Sequence, residues 1–167
     1  MVPRICRGPG GGGKMSDVTI TRRLEFDAGH RIPDHRSRCR NLHGHRYVLE
    51  VTLAGDIIDD PGDSSHGMVM DFADVKGIAK RELVDQWDHA FLVWQEDTVV
   101  REFLAGLAGH RTVVLSVPPT VEHLAAEAFR VLSSAYAARF GQGIRLEAVR
   151  LFETPNCWAV ATGDGGS

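Results

Sequence analysis

Apolar and polar residues alternate from Val18 to Phe26, with Val18, Ile20, Leu24 and Phe26 in phase and Arg22 among them. A period of two predicts a strand with one buried face. The segment 45–54 repeats the pattern more strongly, placing Tyr47, Leu49, Val51 and Leu53 on one face. The turn-rich run "DDPGDSSHG" then breaks the chain, and "MVM" after it predicts a short strand in a hairpin with the one before. From Asp71 the period changes. Phe72, Val75, Ile78, Ala79, Leu83 and Trp87 recur at three and four, which predicts an amphipathic helix over 71–87 capped by Asp71, with Gly77 its weak point. "TVVLSV" predicts a strand. A second helix follows, with Val121, Leu124, Ala125, Ala128, Phe129 and Leu132 on its apolar face, Thr120 as cap and Gly141 as stop. "IRLEAVRLFE" and "CWAVA" predict a last strand pair around Thr154, Pro155 and Asn156. The resulting order, β-β-β-α-β-α-β-β, implies an α+β fold with an antiparallel sheet backed by two helices on one face.

Length and composition narrow the function classes. A chain of 167 residues suffices for one domain with a real core. Residues 1–14 contain a glycine run and no acidic side chain, and read as a flexible leader or cloning remnant ahead of a plausible start at Met15. One domain is then expected over 15–167. The leader holds Arg4, Arg7 and Lys14, so the body is more acidic than the whole chain at −3, which argues against a nucleic-acid partner. No run of about eighteen apolar residues predicts a membrane span. The first residues lack the apolar core of a signal peptide. Three cysteines, Cys6, Cys39 and Cys157, do not make a disulfide framework, and a cytoplasmic location with reduced thiols is expected. Cys157, inside "NCWAV", is expected to be a buried strand thiol.

The chemistry concentrates in "CRNLHGHRY", residues 39–47. On a strand, side chains at i and i+2 point the same way, so His43 and His45 project together with Tyr47. His30 shares the face of Phe26 and Leu24 on the first strand, and three imidazoles converge if the two strands share a sheet. Three nitrogen ligands with one open position form a catalytic zinc site, whereas Cys39 as a fourth ligand would close it into a structural one. A cupin-like oxygenase is a third reading, through Glu50, but on an unbroken strand Glu50 faces away from the two histidines. His35, His66, His110 and His123 are read as surface or helix polar residues. Arg31, Arg36, Arg38, Arg40 and Arg46 crowd the same stretch and could receive a polyanion, or be a solvated loop with Asp34 as partial counter-charge.

"FDAGH", "CRNLHGHRY", "MDF", "WDHAFL", "PPTVEHLA" and "LFET" occur in the order seen in the 6-pyruvoyltetrahydropterin synthase family, and the chain most resembles its bacterial 6-carboxytetrahydropterin synthase branch over about residues 18–160. The resemblance implies a tunnelling fold (T-fold), whose sheets close into a barrel when trimers form and stack as a homohexamer. It implies a zinc-dependent lyase of queuosine biosynthesis acting on 7,8-dihydroneopterin triphosphate. The expected metal ligands are His30, His43 and His45. Cys39, with Asp88 and His89, is expected to be catalytic, and Glu153 to anchor the pterin with Thr120 near it. For the Asp88–His89 pair, adjacent residues on a helix would not face each other, so that pairing rests on the resemblance alone. Residues 93–118 extend the link between "DHAFL" and "PPT", and are expected to add a short helix and a strand.

Overall fold

The computed structural model describes residues 18–163, the side chain of residue 142 excepted; the expected leader lies outside them. Strand β1 (Val18–His30) and strand β2 (His43–Gly55) pair antiparallel along their whole length, with His30 opposite His43. Strand β5 (Ile144–Thr154) pairs antiparallel with β2, and β6 (Cys157–Thr162) with β5. These four strands are the expected antiparallel sheet. Two more join it parallel: β3 (Ala90–Trp94) beside the end of β1, and β4 (Thr112–Leu115) beside β3. The order across the sheet is β4-β3-β1-β2-β5-β6.

The helices cover one face. Helix α1 (Phe72–Ala79) starts at Asp71, whose carboxylate accepts from Ala73 N–H, and runs through a π-helical turn (Lys80–Val84) into α2 (Asp85–Trp87). Helix α4 (Val121–Phe140) is capped by Thr120 and ends at Gly141, where φ is +63°. Against them lie Leu24, Phe26, Tyr47, Leu49, Val51 and Leu53, the residues that the alternation marks as inward. Tyr136 of α4 donates its hydroxyl to Val75 O at 2.7 Å and ties the helices together. The opposite sheet face is polar, with Thr21 against Thr52 and Arg46 against Asp27.

Two expectations change. Residues 68–70 are not a strand: the segment after β2 closes a loop through Ile58 N–H to Met68 O and Gly67 N–H to Ile58 O. Its polar residues bond locally, Asp60 to Gly62 and Asp63 to Ser65, so no ladder forms, while Val69 and Met70 still reach the core. Cys157 is exposed rather than buried, because β6 is an edge strand and its first residue sits beyond the helices.

The extension 93–118 contains the tail of β3, helix α3 (Thr98–Ala105) and β4, as a helix plus a strand. Val100 and Leu104 pack on Val93 and Phe91. The unit is tied to the end of β1 by Asp97, which is 5% exposed, caps α3 and binds both Arg31 Nε and Nη2 at 2.6 Å. This bidentate bond holds the Asp97 carboxyl below the usual carboxylate range. A group with a depressed folded pKa contributes stability above its unfolded pKa and loses it as pH falls through the folded one. Asp97→Asn is therefore expected to cost about 2 kcal/mol in urea unfolding at neutral pH. The difference from wild type should shrink in acid, once the wild-type carboxyl protonates as well.

Candidate active site

Three imidazoles meet where β1 and β2 end. Their alignment follows from register: His30 faces His43 across the pair, and His45 lies one inward step further along β2. The ring centroids of His30 and His43 are 4.5 Å apart, those of His30 and His45 5.2 Å, and those of His43 and His45 5.0 Å. One ligating atom from each lies within 4.8 Å of the others. His30 is fully buried, and its Nδ1 lies 2.8 Å from Pro119 O, just before α4. His43 Nδ1 lies 2.8 Å from Asn41 O. Each carbonyl can only accept, so Nδ1 carries the proton and Nε2 keeps a lone pair. The buried Nε2 atoms of His30 and His45 have no hydrogen-bond partner among the described residues. Burial, chiefly, holds the His30 pKa down to about 4, and also lowers that of His45. Two imidazoles with Nδ1 fixed on carbonyls, His30 and His43, and two buried Nε2 lone pairs, those of His30 and His45, suit a divalent transition metal.

The glycine of His-Gly-His is required by the same register. Gly44 pairs with Gly29, and a Cβ on Gly44 would stand 2.9 Å from the Ala28 carbonyl oxygen. That neighbour is backbone and cannot rotate away. Gly44→Ala is expected to spread β1 from β2 beside two of the imidazoles, costing about 1–3 kcal/mol of stability. It should also lower metal affinity, as read by a competitive chelator titration.

Glu153, at the end of β5, joins the group. Its Oε1 lies 3.3 Å from His30 Nε2 and 3.8 Å from His45 Nε2, so this carboxylate borders the volume that the imidazoles face. Tyr47 is buried below them, its hydroxyl unpartnered and its pKa raised by burial and then by the Glu153 charge. Periodicity marks Tyr47 only as core; its polar tip under the histidines is a tertiary fact. Thr120 caps α4 by accepting from His123 N–H at 3.4 Å, next to the Pro119 carbonyl that holds His30.

Cys39 lies in the loop between β1 and β2, partly exposed and outside the group of three ligating atoms. Asp88 and His89 follow α2. They do touch, His89 Nδ1 to Asp88 Oδ1 at 3.0 Å, because the helix has ended: Asp88 is extended and His89 takes a φ of +57°. Asp88 also accepts from Asp27 N–H at 3.0 Å, the main reason that its pKa is lowered. The Asp27 carboxylate lies within 4.8 Å of polar side-chain atoms of Asp88 and His89, and Asp27 has the opposite parity to His30 on β1, which puts the pair by the other sheet face. A cleft of about 490 Å³ there is lined by Asp27, Gly29, Arg46, His89 and Phe91. Within one chain the imidazoles are together and Asp88 is with His89, but among the described residues no hydrogen bond or ion pair joins Cys39 to that pair. Of the five arginines, Arg31 is held by Asp97 and Arg46 by Asp27, while Arg36, Arg38 and Arg40 stay exposed.

Residues 19–164 match the family described as 6-pyruvoyl tetrahydropterin synthase. The chain belongs to that family. Among named relatives, the 6-carboxy-5,6,7,8-tetrahydropterin synthase of Rickettsia bellii is 38% identical over 142 residues, covering 84% of this chain and 97% of the relative. The enzyme of the same name from Haemophilus influenzae is 31% identical over 138 residues, covering 81% and 92%. Among solved structures, the 6-pyruvoyl tetrahydropterin synthase of Caenorhabditis elegans superposes with a TM-score of 0.63 at 26% identity, covering 90% of this chain and 98% of that one. An uncharacterized protein from Wolinella succinogenes gives 0.73 at 22% identity, covering 89% and 99%. The fold is thus the T-fold of the pterin synthases, an α+β curled sheet with helices packed upon it. In this family member, no helix among the described residues is long and apolar enough to cross a membrane.

Proposed function

We propose that the chain is a zinc-dependent 6-carboxy-5,6,7,8-tetrahydropterin synthase, converting 7,8-dihydroneopterin triphosphate with release of triphosphate and acetaldehyde. The observation that carries this reading is the convergence of His30, His43 and His45 with two buried Nε2 atoms that have no hydrogen-bond partner among the described residues. The names of the Rickettsia and Haemophilus relatives support the product, a 6-carboxytetrahydropterin.

His30, His43 and His45 would hold the ion. When bound, zinc supplies Lewis acidity toward an oxygen of the substrate side chain and stabilises negative charge developing there. Glu153 borders the same volume and receives N–H and O–H donors of the substrate, which sets its orientation. Thr120 supports the site through the start of α4. Cys39 acts as the proton-moving group at substrate carbon or hydroxyl. Exposed Arg36, Arg38 and Arg40 flank Cys39 and suit a triphosphate.

Asp88 and His89 complete the proton relay from a second copy. Their position by the other sheet face supports this, and among the described residues no hydrogen bond or ion pair joins them to Cys39. The sheet also carries the edges that assembly needs: β6 ends it, and β1 pairs with β3 only over residues 28–30, so that among the described residues most of β1 has no ladder partner on that side. Closure of such edges into a trimeric barrel, and stacking into a hexamer, removes exposed ladders. Queuosine or a related deazapurine pathway in the cytoplasm is the setting that we propose.

The test is mass spectrometry of the products after the zinc-loaded protein meets 7,8-dihydroneopterin triphosphate. A 6-carboxytetrahydropterin mass together with acetaldehyde is expected. A 6-pyruvoyltetrahydropterin mass would move the chain to the family's other product. Unchanged substrate with zinc bound would point to a non-catalytic pterin-binding module.

A further inference from the structure

The loop between β1 and β2 is closed by Ile32 N–H donating to Cys39 O at 2.8 Å, and His35 N–H donates to Ile32 O at 3.1 Å. A short 3-10 turn, Arg38–Arg40, fixes its end, with Arg40 N–H reaching Ser37 O at 3.3 Å. This closure stacks residues 35, 37 and 39 in a row. Ser37 Oγ lies 2.8 Å from His35 Nδ1, and Ser37 N–H also donates to that nitrogen at 3.1 Å. On its other side, Ser37 Oγ lies 3.9 Å from Cys39 Sγ, within reach of a large sulfur atom. His35 is a histidine that the sequence pattern leaves as an ordinary surface residue.

We propose that Ser37 and His35 form a further proton path for Cys39 within one chain, beside the Asp88–His89 pair of the second copy, with His35 as the acceptor and the serine hydroxyl as the bridge. The inference rests on Cys39 being the proton-moving group, as proposed above. The row has two ends of one proton shift. In the first, the thiol S–H donates to Ser37 Oγ, and the serine O–H donates to His35 Nδ1. In the second, the thiol proton has moved to Oγ, the serine proton to Nδ1, and the new O–H donates to the thiolate while Nδ1–H donates back to Oγ. No atom is gained or lost: the S–H bond breaks, the N–H bond forms, and the serine exchanges one proton for another. The Ser37 backbone N–H donates to Nδ1 in the first state, which keeps the imidazole turned toward the hydroxyl, and gives up that bond when Nδ1 takes the proton. Neither Ser37 nor His35 needs to touch substrate, so both are positioning residues for the thiol. Arg36, Arg38 and Arg40 are exposed in the same loop.

The relay makes Cys39 react faster than an ordinary thiol, and the chain carries its own reference. Cys157 is exposed and stands outside this row. The experiment alkylates the full-length zinc-loaded protein with iodoacetamide at neutral pH and follows the Cys39 and Cys157 peptides by mass spectrometry. Ser37→Ala and His35→Gly are each expected to lower the Cys39 rate about tenfold relative to Cys157. Ser37→Thr, which keeps the hydroxyl, should restore the ratio, and added imidazole should restore it in His35→Gly. A purely structural role would move both cysteines together and would not respond to imidazole. An unchanged ratio in Ser37→Ala and His35→Gly, or a Ser37→Thr protein that behaves as Ser37→Ala, overturns the relay. Failure of the underlying reading looks different: turnover would survive in Cys39→Ala.

Discussion

Replacing His43 by alanine is expected to leave the chain folded and to strip it of its metal. His43 is the best of the three histidines for this test. Its ring is only partly buried, and its Nδ1 partner is the carbonyl of exposed Asn41, which water can serve after the change. His30→Ala confounds the result, because that ring is fully buried and Pro119 O would be left without its donor. With two nitrogens left, zinc affinity should fall by more than about 100-fold, the upper end of what losing a mere outer-shell partner costs. Turnover should fall by about 10³-fold or more, from several kcal/mol of lost charge stabilisation. The measurements are zinc content after dialysis, chelator competition, and the circular dichroism spectrum as a control for folding. Full zinc occupancy in His43→Ala would sink the three-imidazole site and leave His30, His45 and Glu153, whose Oε1 lies 3.3 and 3.8 Å from their Nε2 atoms, as the donors.

Cys39→Ala is expected to give the opposite pattern: about one zinc per chain, as in wild type, with turnover reduced by about 10²–10⁴-fold, the range supplied by one acid–base group. The motif allows the thiol either to close a four-ligand structural site or to stand beside an open one. In the structure it stands outside the three ligating atoms, its hydrogen-bond partner is Ser37, and its loop is held by Ile32 N–H on its own carbonyl. A thiolate ligand contributes strongly to zinc affinity, so a structural site would lose its metal on this substitution. Zinc content by elemental analysis, beside product formation from 7,8-dihydroneopterin triphosphate, separates the two. Loss of a full equivalent of zinc would convert the assignment to a structural centre.

Much of the architecture was legible in local pattern. Alternation in 18–26 and 45–54 marked the inward faces of β1 and β2, and the three-four spacing and caps marked α1 and α4. Where local pattern was misleading, the cause was non-local. The segment "AFLVW" has no period; it is β3, a short strand covered on both sides that joins in parallel, so its apolar run reads equally as the end of a helix. "MVM" has strand-like residues but lies behind a turn segment that spends its hydrogen bonds on itself. Cys157 has the neighbours of a core strand and the position of an edge.

The candidate site divides along the same line. The spacing of His43, His45 and Tyr47 decides by itself that they share a face, because strand side chains repeat every two residues. Six ordered motifs over most of the chain determine the family. Only the β1–β2 register brings His30 opposite His43, and only the fold puts the Pro119 carbonyl on His30 and Glu153 against two imidazoles. The contact between Asp88 and His89 depends on where α2 stops, and their place beside the end of β1 on the bond from Asp27 N–H. The row of His35, Ser37 and Cys39 exists because one backbone bond closes their loop. Residue type and period settle which side chains can act and which way each strand presents them. Register, loop closure and helix ends settle which of them meet, since those depend on pairing between residues far apart in the chain.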